Sequence, residues 1–310
     1  MWAQLGSRVN ADRIRSDVFH LAADPLPFRK LNYTVPGHAS CTLHEADDFI
    51  ESELRAAGWP VERQDCSVQA FRCDSSKPKA HQYSPPHEDD PVYTARNLWA
   101  ERRGSVTPDE IILLCAHKDS QSWVDSPGAH DNATGTAGLL ELARVLADYV
   151  PRRTIRLLFC NEEHFPWTSV AAAGLCRDRG DNLIAVLNCD GWGARTQHEI
   201  DSDIKTHGMR FTEPAGRPFT DLMLSLNEEM GLGLRQVVAR RERPGDDDGS
   251  FVKAGYGMAV FSGGGGAGEY PYYHRETDTP DTVDIESVRL LAELTLATIL
   301  HIDQHGAPGP

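Results

Sequence analysis

Apolar runs of this 310-residue chain end in side chains that can bind a cation or carry a proton. Ile111-Ile-Leu-Leu-Cys-Ala ends in His117, with Asp119 two residues on. Glu162 and Glu163 follow the run that closes at Cys160, and Asp190 follows Asn188-Cys189 directly. His274 comes after the last apolar run and a glycine-rich excursion, and Asp131 comes after a glycine turn behind the first run. Neutral imidazole and carboxylate oxygen are the usual ligands of catalytic zinc, at roughly 2.0–2.2 Å. Two such ions ~3.5–4 Å apart repel unless an anion lies between them, and a carboxylate with two oxygens can supply it. Three carboxylates (Asp131, Glu163 and Asp190), together with a hydroxide, balance the charge of two zinc ions. Adjacent glutamates can divide the labour: one coordinates, while the other stays free beside the bound water and takes its proton. Asp119 is spaced to accept the second ring N–H of His117 and fix its tautomer. One carboxylate at a strand end is more often a helix cap. Five or six such residues on one rim are not accounted for in that way.

These residues need a scaffold that gathers the ends of separate runs. An apolar run of six, bounded in this way, reads as a strand buried on both faces of a parallel sheet. Open sheets of that kind collect ligands at the carboxyl ends of their strands. Strand 111–116 precedes a helix over 132–149 with Leu139, Leu142, Ala143 and Leu146 on one face. Strand 154–160, a small-residue helix around 169–176, strand 183–189 and helix 218–230 follow. Strands near 233–239 and 257–262 and a closing helix over 284–302 complete the pattern. The alternation predicts an α/β fold of three layers, a mainly parallel central sheet with helices on both faces.

Ahead of that core, Asn10 is placed to cap a helix carrying Ile14, Val18 and Leu21, ended by Pro25 and Pro27. Thr42-Leu-His-Glu45 reads as a capping box opening a second helix that stops at Gly58. Residues 60–71 and 92–100 read as strands. Residues 74–91 read as a long exposed loop with His81 and His87 solvated, and 201–217 and the glycine loop 263–268 as the least structured parts. That glycine loop lacks both GxGxxG spacing and a following helix, so it is no phosphate cradle. No repeat or linker divides the chain. It is therefore expected to be a single domain over 1–310, with the motifs in about 92–302 and a helical N-terminal part, 1–60, packed on it.

The net charge of −15 argues against nucleic acid and anionic membrane surfaces as partners. Seven cysteines cannot all pair. Cys115, Cys160 and Cys189 lie in apolar runs and read as buried thiols, while Cys66 and Cys73 could bridge neighbouring strands. No pair has CxxC spacing, which disfavours a thiolate zinc site. No apolar run approaches the ~20 residues of a transmembrane helix. The first residues lack a basic-then-apolar signal, so the expectation is a cytoplasmic protein or one whose signal has been removed.

Taken in order, His117-Lys-Asp119-Ser120, Gly128-Ala-His-Asp131-Asn-Ala-Thr-Gly, Asn161-Glu162-Glu163, Asn188-Cys-Asp190 and Tyr273-His274 resemble the motifs of the co-catalytic zinc aminopeptidases. This is metallopeptidase family twenty-eight, which includes bacterial leucyl aminopeptidases and, as a divergent branch, glutaminyl cyclases. The resemblance runs over roughly 92–302. It implies two Zn2+ ions per chain, or other divalent metals on the same donors, with His117 and Asp190 on one, Glu163 and His274 on the other, and Asp131 bridging. It further implies Glu162 as general base and Tyr273 as stabiliser of the oxyanion. The chain departs from the family at His164-Phe165-Pro166-Trp167-Thr168-Ser169, where Gly-Leu-x-Gly-Ser is usual, and at Asp248, where a His is common. His130 and His164, beside the ligands, read as pocket wall or as support for the ligands.

The activity implied is that of an aminopeptidase, acting on peptides with a free N-terminus through a zinc-bound hydroxide. Phe165, Trp167 and Tyr272 offer apolar walls, so apolar N-terminal residues are the expected substrates. A single-zinc glutaminyl cyclase is the alternative, hinted at by Phe165 and Trp167. A non-catalytic peptidase-like binding domain is a second alternative, although such relatives usually lose ligands that this sequence keeps. No GxSxG elbow is present for a serine hydrolase.

Overall fold

The computed structural model describes residues 5–265 and 269–309. Part of the glycine loop, 266–268, therefore lies outside the described residues. The helices are α1 (Ala11–Ala22), α2 (Thr42–Ala56), α3 (Thr134–Val145), α4 (Thr168–Arg179), α5 (Gln197–Asp201), α6 (Arg217–Met230), α7 (Asp246–Lys253) and α8 (Ile285–His305). The strands up to the middle of the chain are β1 (Val61–Ala70), β2 (Arg72–Cys73), β3 (Tyr83–Ser84), β4 (Val92–Arg102), β5 (Thr107–His117) and β6 (Arg153–Cys160). Then come β7 (His164–Phe165), β8 (Asn182–Asp190), β9 (Thr206–Phe211), β10 (Arg235–Arg240) and β11 (Val260–Gly263). Nine strands form one mixed sheet in the order β10-β9-β11-β8-β5-β6-β4-β1-β7, and β2 pairs with β3 as a separate hairpin.

The middle of the sheet decides where chemistry can occur. β11, β8, β5 and β6 run parallel, so His117, Cys160 and Asp190 end on one rim. The expected parallel sheet is thus parallel at its centre, while its flanks through β4, β1 and β7 and at β9–β11 are antiparallel. β5 is buried on both faces. Ile112, Leu114 and Ala116 enter a core with Leu139 and Leu142 of α3 and Leu291 and Leu294 of α8. Ile111, Leu113 and Cys115 enter a second core with Ala172, Ala173 and Cys176 of α4 and Phe251 of α7. Each buried aliphatic contributes ~1.5–3 kcal/mol, and an unpaired polar group among them would cost a similar amount. Reactive side chains are accordingly confined to the strand ends.

α1 packs across α3 and α8, and α2 lies on α3 and β4. Asn10 caps α1 as expected, its Oδ1 accepting from Arg13 N at 3.0 Å. The capping box at Thr42 does not form. Its hydroxyl accepts instead from the backbone N–H of Lys30 at 3.1 Å, and Glu45 pairs with His38. All seven cysteines are free thiols, Cys66 and Cys73 included. Among the described residues no helix is long and apolar enough to cross a membrane.

Two segments read as irregular carry structure. Within 74–91 the chain forms β3 of the hairpin. Within 201–217 lies β9, between β10 and β11. Thr206-His-Gly-Met-Arg-Phe has no apolar run, and its neighbours hold it in the sheet. Met209 enters the core, and a Cβ on Gly208 would meet Gly264 O at 2.4 Å. His207 is fully buried, its Nε2 paired with Ser262 Oγ at 2.9 Å and its Nδ1 facing Gln236 Nε2 at 3.0 Å. A donor amide against Nδ1 fixes the ring neutral, with the proton on Nε2.

Burial pushes the His207 imidazole down to about 3. The unfolded chain therefore binds a proton there between about pH 6.5 and 3 that the folded chain refuses, and stability falls as pH drops through that window. Between pH 7 and 5, wild type should lose about 1–2 kcal/mol more unfolding free energy than His207→Gln. Urea titrations of both proteins check this, and equal losses would refute it.

Candidate metal centre and its cavity

Each site residue comes from a strand end or from the loop just beyond one. His117 closes β5; its Nδ1 pairs with Asp119 Oδ1 at 3.3 Å and its carbonyl accepts from Thr136 Oγ1 at 3.1 Å. That leaves Nε2 facing Asp131 Oδ1 at 3.1 Å and Asp190 Oδ1 at 3.4 Å. His274 is oriented in the same sense. Its Nδ1–H donates to Ala80 O at 2.8 Å, and its Nε2 faces Asp131 Oδ2 at 3.2 Å and Glu163 Oε1 at 3.4 Å. Each Nε2 thus faces two carboxylate oxygens, an arrangement that a ring proton or a metal cation can bridge.

Those atoms form two groups, His117–Asp131–Asp190 and Asp131–Glu163–His274, each with its ligand atoms within 4.8 Å of one another. Asp131 belongs to both groups through different oxygens. The N/O donor set suits zinc or another borderline divalent ion. Glu162 joins neither group. Its Oε2 is buried with no hydrogen-bond partner among the described residues.

The supports are as specific as the ligands. Asp119 accepts from Glu162 N at 2.9 Å, Glu163 N at 2.9 Å and His164 Nδ1 at 2.8 Å, besides holding His117. Asn132 donates to Cys189 O at 2.9 Å and accepts from Gly135 N at 2.9 Å, locking the Asp131 turn to the end of β8. A Cβ on Gly135 would lie 2.2 Å from Cys189 O, so only glycine permits that approach. Asp278 accepts from His130 N at 3.0 Å and Asp131 N at 3.2 Å, and pairs with His130 Nδ1 at 2.7 Å. His130 and His164 therefore both support neighbouring residues, and neither belongs to a donor group. Gln121 Nε2 donates to Asp131 Oδ2 at 2.9 Å and Glu163 Oε1 at 3.2 Å.

Electrostatics follow from this crowding. Burial lowers both imidazoles, but the carboxylates overcome it: His117 rises well above its ordinary value and His274 to about 10. Asp119 and Asp131 lie below the usual carboxylate range because the histidines outweigh burial. Burial, then Asp247 and Asp246, push Glu162 well above the ordinary glutamate value.

The groups open into a cavity of about 250 Å³ whose lining includes Tyr273, His81, Asp246 and Arg210. Tyr273 stacks on His274 with ring centroids 3.7 Å apart. A second recess of about 190 Å³ meets the first at Glu162, Glu163, Asp246 and Tyr273, and its aromatic walls are Phe71, Tyr83, Trp123 and Trp167. Of the three walls expected from sequence, Trp167 is in this recess. Phe165 is exposed against Phe71, and Tyr272 stacks on His130.

His81 and His87 are both exposed as expected, and His81 also lines the cavity. Asp248 is buried and pairs with Arg241 at 3.1 Å, and its neighbour Asp246 lines the cavity. Sequence reasoning missed Gln121, Asp246, Asp278, the Ala80 carbonyl and Arg210. The run Asp246-Asp-Asp248 carried a signal for one of them. The rest depend on long-range packing.

A sequence model of Peptidase family M28 matches residues 97–299. A probable zinc metalloprotease of Leptosphaeria maculans is 33% identical over 159 residues, covering 49% of this chain and 35% of that protein. The matched part of the chain spans 23–35% of the length of such curated relatives. Among solved structures, an aminopeptidase from Aneurinibacillus sp. strain AM-1 superposes with a TM-score of 0.74 at 16% identity, covering 100% of this chain and 97% of that one. A glutaminyl cyclase of Bacteroides thetaiotaomicron superposes with a TM-score of 0.72 at 16% identity, covering 94% of this chain and 97% of its own. These two likenesses establish the fold, a zinc-exopeptidase-like α/β architecture.

Because Asp131 is common to both donor groups, Asp131→Ala should strip metal from both, leaving less than one ion per chain by elemental analysis after dialysis. Asp119→Asn, which touches no ion, should weaken metal retention ~10–100-fold with circular dichroism unchanged. Full metal content in Asp131→Ala would remove that residue from the centre.

Proposed function

The chain belongs to peptidase family M28, and from that premise we propose that it is a zinc-dependent aminopeptidase releasing N-terminal residues from peptides. The observation that carries the reading is the pair of donor groups sharing Asp131, with the partnerless carboxylate of Glu162 beside them. His117, Asp131 and Asp190 would hold one ion, and Asp131, Glu163 and His274 the other. When bound, the metals supply Lewis-acid polarisation of the scissile carbonyl and lower the pKa of water.

The chain's own residues do the rest. Glu162 Oε2 takes the proton of the attacking water and returns it to the departing amine, the work of a general base turned general acid. Asp119 is a positioning residue: with one oxygen on each glutamate amide it aims Glu162 into the cavity and Glu163 at the donor group. Tyr273 lines the cavity, and its hydroxyl would donate to the oxygen on which charge develops. The concentration of carboxylates favours an α-ammonium next to the scissile bond. The substrate is therefore a peptide with a free N-terminus.

Two predictions test this reading. Glu162→Gln should keep its metal and fold but lose ~10²–10⁴-fold in kcat, and a near-normal kcat would take Glu162 out of the mechanism. Wild-type protein should hold near two divalent ions and release free Gln from an N-terminal Gln peptide, read by mass spectrometry. One tightly held ion, loss of ammonia from an intact chain and no cleavage of aminoacyl-arylamides would point instead to a glutaminyl cyclase.

A further inference from the structure

Arg210 is the single lysine or arginine among the described residues lining the metal cavity. It projects from β9, the strand with no apolar run. Its guanidinium carbon lies 4.6 Å from the centroid of the Phe261 ring, a cation–π contact that leaves its N–H groups unspent. It makes no hydrogen bond to any described residue. Its one ion pair, to Asp246, is long at 3.9 Å. Asp246 is held more closely by Arg241, which also pairs with Asp248. Neutralising Asp246 therefore does not require Arg210.

The Arg210 side chain retains 22% exposure and shares the cavity lining with Gly191, Ala194 and Gly264. Gly264 N donates to Gly191 O at 3.0 Å, and a Cβ on Gly264 would meet Ala194 O and Gly191 O at 2.5 Å, so that part of the lining is both small and fixed. A rigid planar fork with free donors, in a cavity whose other formally charged lining residues are five carboxylates, matches the bidentate geometry of a carboxylate. Among the described residues, the aromatic recess that shares Glu162 has no comparable donor fork.

We propose that Arg210 is a specificity-determining residue that binds a carboxylate of the substrate at this end of the cavity. The inference rests on the peptidase reading above and narrows its substrate class. The carboxylate is either the side chain of an N-terminal Glu or Asp, or the free C-terminus of a dipeptide. In both cases it would lie edge-on to the guanidinium, with two parallel N–H···O bonds.

The test compares kcat/KM for Glu- and Gln-arylamide, which differ in charge at almost equal volume, and for Ala-Leu and Ala-Leu-amide. In wild type one of the two acid/neutral ratios should reach ~10–100. The first identifies a side-chain carboxylate, the second a terminal one. Arg210→Met should collapse that ratio towards one, and Arg210→Lys, which keeps charge without the fork, should restore part of it. Ratios near one in wild type, or an acid preference that survives Arg210→Met, would overturn the proposal. If no substrate is hydrolysed, the peptidase reading fails by itself. Calorimetric binding of L-glutamate against L-glutamine, and of Ala-Leu against its amide, to wild type and Arg210→Met then decides the role of Arg210: acid-selective binding lost in the variant supports it, and binding without selectivity rejects it.

Discussion

Five carboxylates, Asp131, Glu162, Glu163, Asp190 and Asp246, line one half-open cavity at the end of a parallel sheet. Much of the neighbouring structure follows from that constraint. Like charges a few ångströms apart in a poorly solvated space repel by several kcal/mol unless cations or donors are interposed. The chain supplies two imidazoles with their Nε2 atoms turned inward, a glutamine amide on two of the carboxylates, and Arg241 on Asp246. These contacts leave the donor groups rich in unshared lone pairs, which is the condition for holding divalent ions.

Precision in such a site comes from residues that never face the cavity. Arg29 is fully buried and donates to the carbonyls of Lys118, Pro127 and Gly128 at 2.7 Å each, and also to Leu21 O. One guanidinium therefore ties the end of α1 to both loops that carry His117 and Asp131. Burial pulls it down, yet only to about 10, so it stays charged. Lys118, next to His117, is likewise fully buried, donating to Asn161 Oδ1 at 2.7 Å and ion-paired with Asp47 Oδ1 at 2.8 Å. The N-terminal helices contribute to the site in this way without supplying a ligand.

The parts that were legible in the sequence are those where local pattern and function coincide. An apolar run buried on both faces must end before a polar residue can be used, so His117, Glu162, Glu163 and Asp190 stand out at the ends of β5, β6 and β8. Asp131 and His274 stand out by spacing and motif. What could not be read depends on contacts between distant segments. β9 lacks an apolar period and is held in the sheet by pairing with β10 and β11, and Arg210 went unnoticed with it. The hairpin of β2 and β3 looks like a polar loop, yet Tyr83 meets the ring of His274 and Ala80 orients it. Thr42 has the capping signature, but its hydroxyl is already engaged with Lys30.

The adjacent glutamates show how a strand end can divide two roles that need opposite environments. A ligand must face the cations, whereas a base must stay free of them and remain close. The backbone bends at 162–163 just beyond β6, and both side chains reach the cavity lining from there. Asp119 fixes that bend by accepting the Glu162 and Glu163 amides on its two oxygens. Glu163 is thereby directed to His274 and Gln121, and Glu162 to the cavity beside Asp246. Exchange of the two roles would require the segment to slip by one residue, which would break both amide contacts to Asp119 together with that of His164. The same carboxylate also orients His117. A single buried aspartate thus fixes a ligand on one strand and the division between ligand and base on the next.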